Sequence, residues 1–160
     1  MKTSIPRFLG AVAIIAVTVP TSADANAPAG RYVVTAGGTG HGTVQDTKTG
    51  LIWQQTVTST SATYNWAGAK TYCASTAVST SLGGTGWRLP TLKELQTIVD
   101  YTQATSPIID STAFPSTIAS GFWSSSPLAG SSSVAWFVYF YNGNTINLGV
   151  SNPLNVRCVR

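Results

Sequence analysis

Residue types able to do covalent or acid–base chemistry are scarce in this chain and far apart. His41 is the single histidine, Cys73 and Cys158 are the two cysteines, and the acids beyond residue 25 are Asp46, Glu94, Asp100 and Asp110. A nucleophile needs a base beside it. The serine run Ser124-Ser125-Ser126 has no histidine nearby in sequence and no Gly-x-Ser-x-Gly turn. Calcium takes roughly six to eight oxygen ligands, more than four dispersed carboxylates supply. His41 lies in the glycine-rich stretch Ala36–Gly42, which lacks the strand-to-helix setting of a phosphate cradle, and a lone histidine has no partner ligands for a metal. The expectation is no catalytic residue, no metal and no cofactor. What the chain has in quantity is rings and amides. Phe137, Tyr139, Tyr141, Asn144 and Asn147, with Ser151, Asn152 and Asn155 beyond them, form the candidate binding set. Aromatic faces can cover sugar C–H groups while amides read hydroxyls.

The elements that must position this set can be read from spacing. Val134–Tyr141 and Thr145–Val150 are strand material separated by Asn142-Gly143, a hairpin signal. A two-residue loop would leave both faces mixed. A three-residue loop, Asn142–Asn144, puts Trp136, Val138 and Phe140 with Ile146, Leu148 and Val150 on one apolar face. Phe137, Tyr139 and Tyr141 then face outward with Thr145, Asn147 and Gly149, so this register is expected. Further strands are expected at Arg31–Thr35, within Thr43–Trp53 on either side of Asp46–Gly50, at Phe122–Ser126 and at Asn155–Val159. In the last of these, Val156 and Cys158 alternate with Arg157 and Val159, and Arg157 and Arg160 are expected on a solvated edge.

Gly86-Trp87-Arg88-Leu89-Pro90-Thr91-Leu92-Lys93-Glu94-Leu95 states a helix start. Thr91 and Glu94 have the spacing of a capping box, and Leu92, Leu95, Ile98 and Val99 form one stripe ending near Asp100 or Tyr101. Arg88 is expected to satisfy carbonyls or a carboxylate at that start. An earlier helix, capped by Asn65, runs from Trp66 to about Ser75 with Trp66, Ala69 and Cys73 inward and Ala77 continuing that face, and Ser79–Gly86 reads as a loop. Trp53, Trp66, Trp87, Trp123 and Trp136 are expected in the core or at its rim. The class is α+β, two short helices on small twisted antiparallel sheets.

Residues 1–25 read as a secretory leader: Lys2 and Arg7, an apolar run from Phe8 to Val19, and a small-residue exit at Ala23-Asp24-Ala25, with Ala25-Asn26-Ala27 as the alternative exit. That run is about a dozen residues, short of the roughly 20 that span a bilayer. No membrane insertion is expected, and the product is placed outside the cytoplasm: secreted, periplasmic or on the cell surface. Residues 26–42 form an N-terminal segment with the glycine-rich loop, and 43–160 the domain. In an oxidising compartment two cysteines are most simply one disulfide, Cys73–Cys158, closing a loop of about 85 residues. The alternative, a reactive thiol, needs a low-pKa setting, and neither cysteine has a histidine nearby. Beyond the leader seven Lys and Arg stand against four acids. They are scattered singly, which argues against a nucleic-acid partner.

Thr43–Gln54, Trp87-Arg88-Leu89-Pro90-Thr91, Phe122-Trp123-Ser124-Ser125-Ser126, Ala135-Trp136-Phe137-Val138 and Val156-Arg157-Cys158-Val159-Arg160 together resemble the C-terminal domain of the Lcl collagen-like adhesins, in order, over nearly the whole mature chain. That family is similar in turn to the C-type lectin-like fold, in the branch of the formylglycine-generating enzymes. The resemblance implies a cysteine on the first helix paired with one on the last strand. It also implies adhesion, with Arg157 and Arg160 available to sulfated glycans. The chain departs from calcium-dependent lectins in lacking Trp-Asn-Asp and Glu-Pro-Asn, and from the enzymes in lacking a spare reactive cysteine pair. The expected function is a secreted, non-catalytic module binding a surface glycan, sulfated or not, or a protein partner. On a blander reading, the N-terminal segment or a neighbouring protomer of a homo-oligomer covers the aromatic strip. The alternatives are a diversified ligand-binding protein of a diversity-generating retroelement, which the Asn-rich tail would suit, and a structural envelope subunit.

Overall fold

The computed structural model describes residues 27–37, 41–57 and 61–160. The expected leader, Gly38–Gly40 and Thr58–Thr60 lie outside the described residues. Two three-stranded antiparallel sheets carry the fold. The first is β1 (Tyr32–Thr35), β2 (Thr43–Asp46) and β3 (Ile52–Gln54); the second is β4 (Gly121–Pro127), β5 (Val134–Tyr139) and β6 (Asn144–Gly149), each in sequence order. Three short helices lie between them in the chain: α1 (Trp66–Cys73), α2 (Thr76–Leu82) and α3 (Leu92–Gln96). None of the described helices is long and apolar enough to cross a membrane.

Local chemistry accounts for the helix starts. Asn65 accepts the amide of Gly68 at 2.8 Å to open α1, and at α3 the Thr91 hydroxyl accepts the Glu94 amide while Glu94 Oε2 accepts the Thr91 amide. α2 corrects the loop expected from Ser79. Ser75 caps it through the Val78 amide, and Val78 and Leu82 give it an inner edge too short to register as a periodicity. α3 ends at Gln96, earlier than expected, yet Leu95, Ile98 and Val99 are all buried as the stripe requires.

The core has two parts, one on each face of the second sheet. Phe122, Val138 and Phe140 join Val44, Trp53, Leu95, Ile98, Ile109, Phe114 and Val159. Trp123, Ala135 and Phe137 join Ala69, Cys73, Trp87, Leu89, Val156 and Cys158. Neighbouring residues of β4 and β5 therefore point into different clusters, which is why Ala135–Phe140 is an unbroken apolar run.

The expected hairpin register is overturned. Tyr139 pairs with Asn144, Phe137 with Ile146 and Ala135 with Leu148, so the loop is four residues, Phe140–Gly143. The premise of one core face and one wet face fails because both faces of β5 are covered. Phe140 enters the core edge-on to Phe122 at 5.2 Å, drawing the turn inward, and Gly143 closes it with φ +78° and its amide on Tyr139 O at 2.8 Å.

Residues 154–160 are not the regular strand expected. They change partner almost residue by residue: Leu154 with Tyr64, Asn155 with Gly121 and Trp123, Val159 with Arg88, Cys158 and Arg160 with Gln54 and Ile52. This tail lies against both sheets. Cys73 and Cys158 are disulfide-bonded, S–S 2.04 Å, joining α1 to the tail.

Candidate functional site

The turn between β5 and β6 presents the rings. Tyr141, 55% exposed, follows the buried Phe140, and its ring lies 5.7 Å from that of Tyr139 at the end of β5. Tyr101, 74% exposed, donates its hydroxyl to Gly143 O at 2.9 Å. Its ring rests on Gly143 so closely that a Cβ there would meet Tyr101 Cε1 at 2.6 Å. Asn144, exposed beside Tyr139, gives its amide to Asn142 Oδ1 at 3.1 Å. From beneath, Ile108 bonds Phe140 O at 2.8 Å, and the Ser106 hydroxyl bonds Tyr141 O. Core packing and backbone bonds thus preset the ring positions, so a ligand meets a surface already ordered.

The structure brings together part of the expected set. Tyr139, Tyr141 and Asn144 share the turn. Phe137 is 8% exposed, its ring edge-on to Trp123 at 6.1 Å, so it supports the hairpin and does not face outward with the tyrosines. Asn147 pairs across with Trp136, on the face opposite Tyr139. Ser151 and Asn152 are exposed at the far end of β6, where Asn152 Nδ2 bonds Gly149 O at 3.0 Å. Asn155 is buried and committed, its Nδ2 on Gly121 O at 3.0 Å. Tyr101, with Ile146 on the strand beside Asn144, is what sequence reasoning missed. Its signal in the sequence is an aromatic that follows the amphipathic stripe and lies off it.

The residues expected to be structural are spent on the fold. Trp53, Trp87 and Trp123 are buried, Trp66 and Trp136 half-buried. Trp66 donates to Ser124 O at 2.7 Å, Trp87 to Gly83 O at 3.0 Å and Trp123 to Tyr64 O at 2.9 Å. Arg88 forks onto Glu94 at 2.7 and 2.6 Å, and that guanidinium, helped by the Thr91 amide, holds the Glu94 carboxyl down at about 2. Arg157 corrects the solvated-edge expectation. It is fully buried, bonding Gln54 O, Gln55 O and Thr117 Oγ1 and lying 4.8 Å over Phe114, and burial lowers its pKa to about 9. Arg160 is exposed over Trp87 at 5.3 Å.

The carboxylates are engaged separately: Asp46 with Arg31, Glu94 with Arg88, Asp100 with Thr102 and Gln103, Asp110 with backbone amides. Among the described residues no three His, Cys, Asp or Glu side chains gather to hold a metal. Two hydroxyls of the serine run are engaged too, Ser124 donating to Trp136 O at 2.6 Å and Ser126 accepting the Leu92 amide at 3.0 Å. A separate cleft of about 220 Å³ lies under α2, lined by His41, Gln54, Tyr72, Val78 and Leu82. The surface at the turn offers ring faces and amides, the chemistry of contact binding.

The model of the family described as the Lcl C-terminal domain matches residues 42–160. The chain belongs to that family. No curated protein matches it. The Lcl C-terminal domain here opens one residue before β2 and takes in both core clusters, the disulfide and the tyrosine turn. Strand β1 and the chain before it precede the match, although β1 pairs with β2 along its whole length.

Proposed function

We propose that this Lcl C-terminal domain is a non-catalytic recognition module working outside the cytoplasm, binding a surface glycan through the tyrosine turn without a metal. One observation carries the reading: Tyr141, on a turn anchored by Phe140, and Tyr101, resting against Gly143 of that turn, hold large aromatic area in water beside the amides of Asn142 and Asn144. Exposed rings of this size are costly unless something covers them. Exposed ring faces with neighbouring amides suit a pyranose, whose C–H face is apolar and whose rim is hydroxyl. The family's association with surfaces and adhesion supports the setting, as does a disulfide, which persists in oxidising compartments. A C-type lectin-like ancestry belongs to the same proposal, supported by the α1-to-tail disulfide and the capped helix after Arg88-Leu89-Pro90.

A glycan array probed with and without chelator tests it. The expected outcome is a signal insensitive to chelator that the Tyr101→Ala, Tyr141→Ala double variant loses while its thermal midpoint stays near wild type. A signal abolished by chelator, or equal in the variant, would remove the turn from the site. Both tyrosines are exposed, so truncation should cost little stability.

A further inference from the structure

Helix α2 is the element that the core explains least. It buries only Val78, with Leu82 half-buried after it, while Ala77 and Ser81 are exposed. Beneath it the protein does not close up. A cleft of about 220 Å³ separates the helix from His41, Gln54 and Tyr72. A second cleft, of about 270 Å³, shares His41, Ser81 and Leu82 with the first and is lined also by Thr35, Thr43 and Thr80. Interiors otherwise pack to nearly crystal density, and a cavity of about 150 Å³ is room enough for benzene.

The lining sets the chemistry of an occupant. No Lys, Arg, Asp or Glu lines either cleft, so nothing there would offset the desolvation of a charged ligand. The first cleft is walled by the Val78 and Leu82 side chains and by Tyr72, whose ring is braced on that of Tyr64 at 4.7 Å. Gln54 is spent on the fold, its Oε1 accepting the Cys158 amide and its Nε2 donating to Thr56 O, each at 3.2 Å. The Ser81 hydroxyl and the His41 imidazole lie where the two clefts adjoin, and neither side chain bonds another described residue. Two free polar groups are too few for the hydroxyl rim of a sugar, which would leave several hydroxyls unpaired. They suit a flat apolar ring that carries one hydroxyl.

We propose that the cleft under α2 binds a phenol: an uncharged aromatic ring held against Tyr72, Val78 and Leu82, with its one hydroxyl bonded by Ser81 and His41. The phenol is a free small molecule or the tyrosine side chain of a partner. The site shares no residue with the tyrosine turn, so it stands or falls apart from the glycan reading.

The test titrates isotope-labelled protein with p-cresol and follows its backbone amide resonances. The expected result is saturable shifts at Tyr72, Val78 and Leu82 and none at Tyr141 or Asn144, half-complete at roughly millimolar p-cresol, as suits so small a ligand. Ala77→Trp, which sets an indole over the cleft from an exposed position, should abolish the shifts at an unchanged thermal midpoint. Ser81→Ala should raise the half-saturation concentration about threefold to tenfold, the loss of one hydrogen bond. Shifts that do not saturate, or that persist in folded Ala77→Trp, overturn the site. If Ala77→Trp does not fold, Ser81→Ala decides alone, and affinity equal to wild type overturns the proposal. Toluene or methyl glucoside binding as tightly as p-cresol overturns the ligand class. N-acetyltyrosinamide separates the two sources: binding tighter than p-cresol supports a partner's tyrosine, and weaker binding supports a free phenol.

Discussion

Arg157 meets the burial of its charge without a carboxylate. Three acceptors on two separate segments, Gln54–Gln55 and Thr117, take its fork, and the rings of Phe114 and Phe122 lie against it at 4.8 and 5.8 Å. Arg157→Met keeps the stem's bulk but strips donors from two carbonyls and a hydroxyl, so urea unfolding should show a loss of about 2–4 kcal/mol at unchanged m. Arg157→Lys should fail nearly as badly, since one ammonium cannot span what a planar fork spans. The sequence misplaced this residue because its alternation with Val156 and Cys158 implies a wet side, whereas the tail has none: Val156, Arg157, Cys158 and Val159 are all buried. Glu94 was legible, because a capping box and its neighbouring Arg88 are local. Its carboxyl is held near 2 in the folded chain against 4.5 ordinarily. A depressed folded pKa gives stability that is complete above the unfolded value and is lost as pH falls through the folded one. With the pair partly exposed, the effect should be only about 1 kcal/mol between pH 5 and pH 2. Glu94→Gln should flatten that part of the stability profile measured by denaturant titration, and an unchanged slope would assign the acid sensitivity elsewhere.

At the scale of elements, the starts of α1 and α3 and the hairpin strands are readable while α2 and the register are not, and the difference is physical. Caps such as Asn65 and Thr91 act within one turn, so sequence contains both partners. Register depends on which face is buried, and β5 buries Val138 on one side and Phe137 on the other, so hydrophobic pattern alone could not choose. That error split the expected binding strip, sending Asn147 to the Trp136 face and leaving Tyr139, Tyr141 and Asn144 at the turn. The turn itself depends on Gly143, which combines φ +78° with ring contact from Tyr101. Gly143→Ala introduces strain and a Cβ 2.6 Å from Tyr101 Cε1 and 2.9 Å from Val99 Cγ1. It should cost about 1–3 kcal/mol and displace Tyr101. Because the displaced ring is in the proposed site, glycan binding should weaken in Gly143→Ala even at a temperature where the variant is fully folded. Binding equal to wild type would show that Tyr101 does not touch the ligand.

At the scale of the molecule the fold is two small sheets that share no strand; they meet in one core cluster, and the tail hydrogen-bonds to both. Ile52 and Gln54 of the first sheet bond Arg160 and Cys158, Gly121 and Trp123 of the second bond Asn155, and Cys158 is bonded covalently to α1. Neither sheet alone has the strands or the area for independent stability. A single link among α1, β3, β4 and the terminus therefore acts on every element at once. The disulfide closes 85 residues, and in the chain-entropy model such a crosslink removes about 4–5 kcal/mol of freedom from the unfolded chain. For a domain this size that is a large share of total stability. Cys73→Ala, Cys158→Ala should lower the thermal midpoint by on the order of 15 °C while leaving one cooperative transition. Two separate transitions would mean that the sheets fold apart and that the crosslink, not the tail's hydrogen bonds, is what couples them. With one transition kept, the tail's contacts are the coupling, and deleting residues 154–160 should abolish folding even where reduction does not.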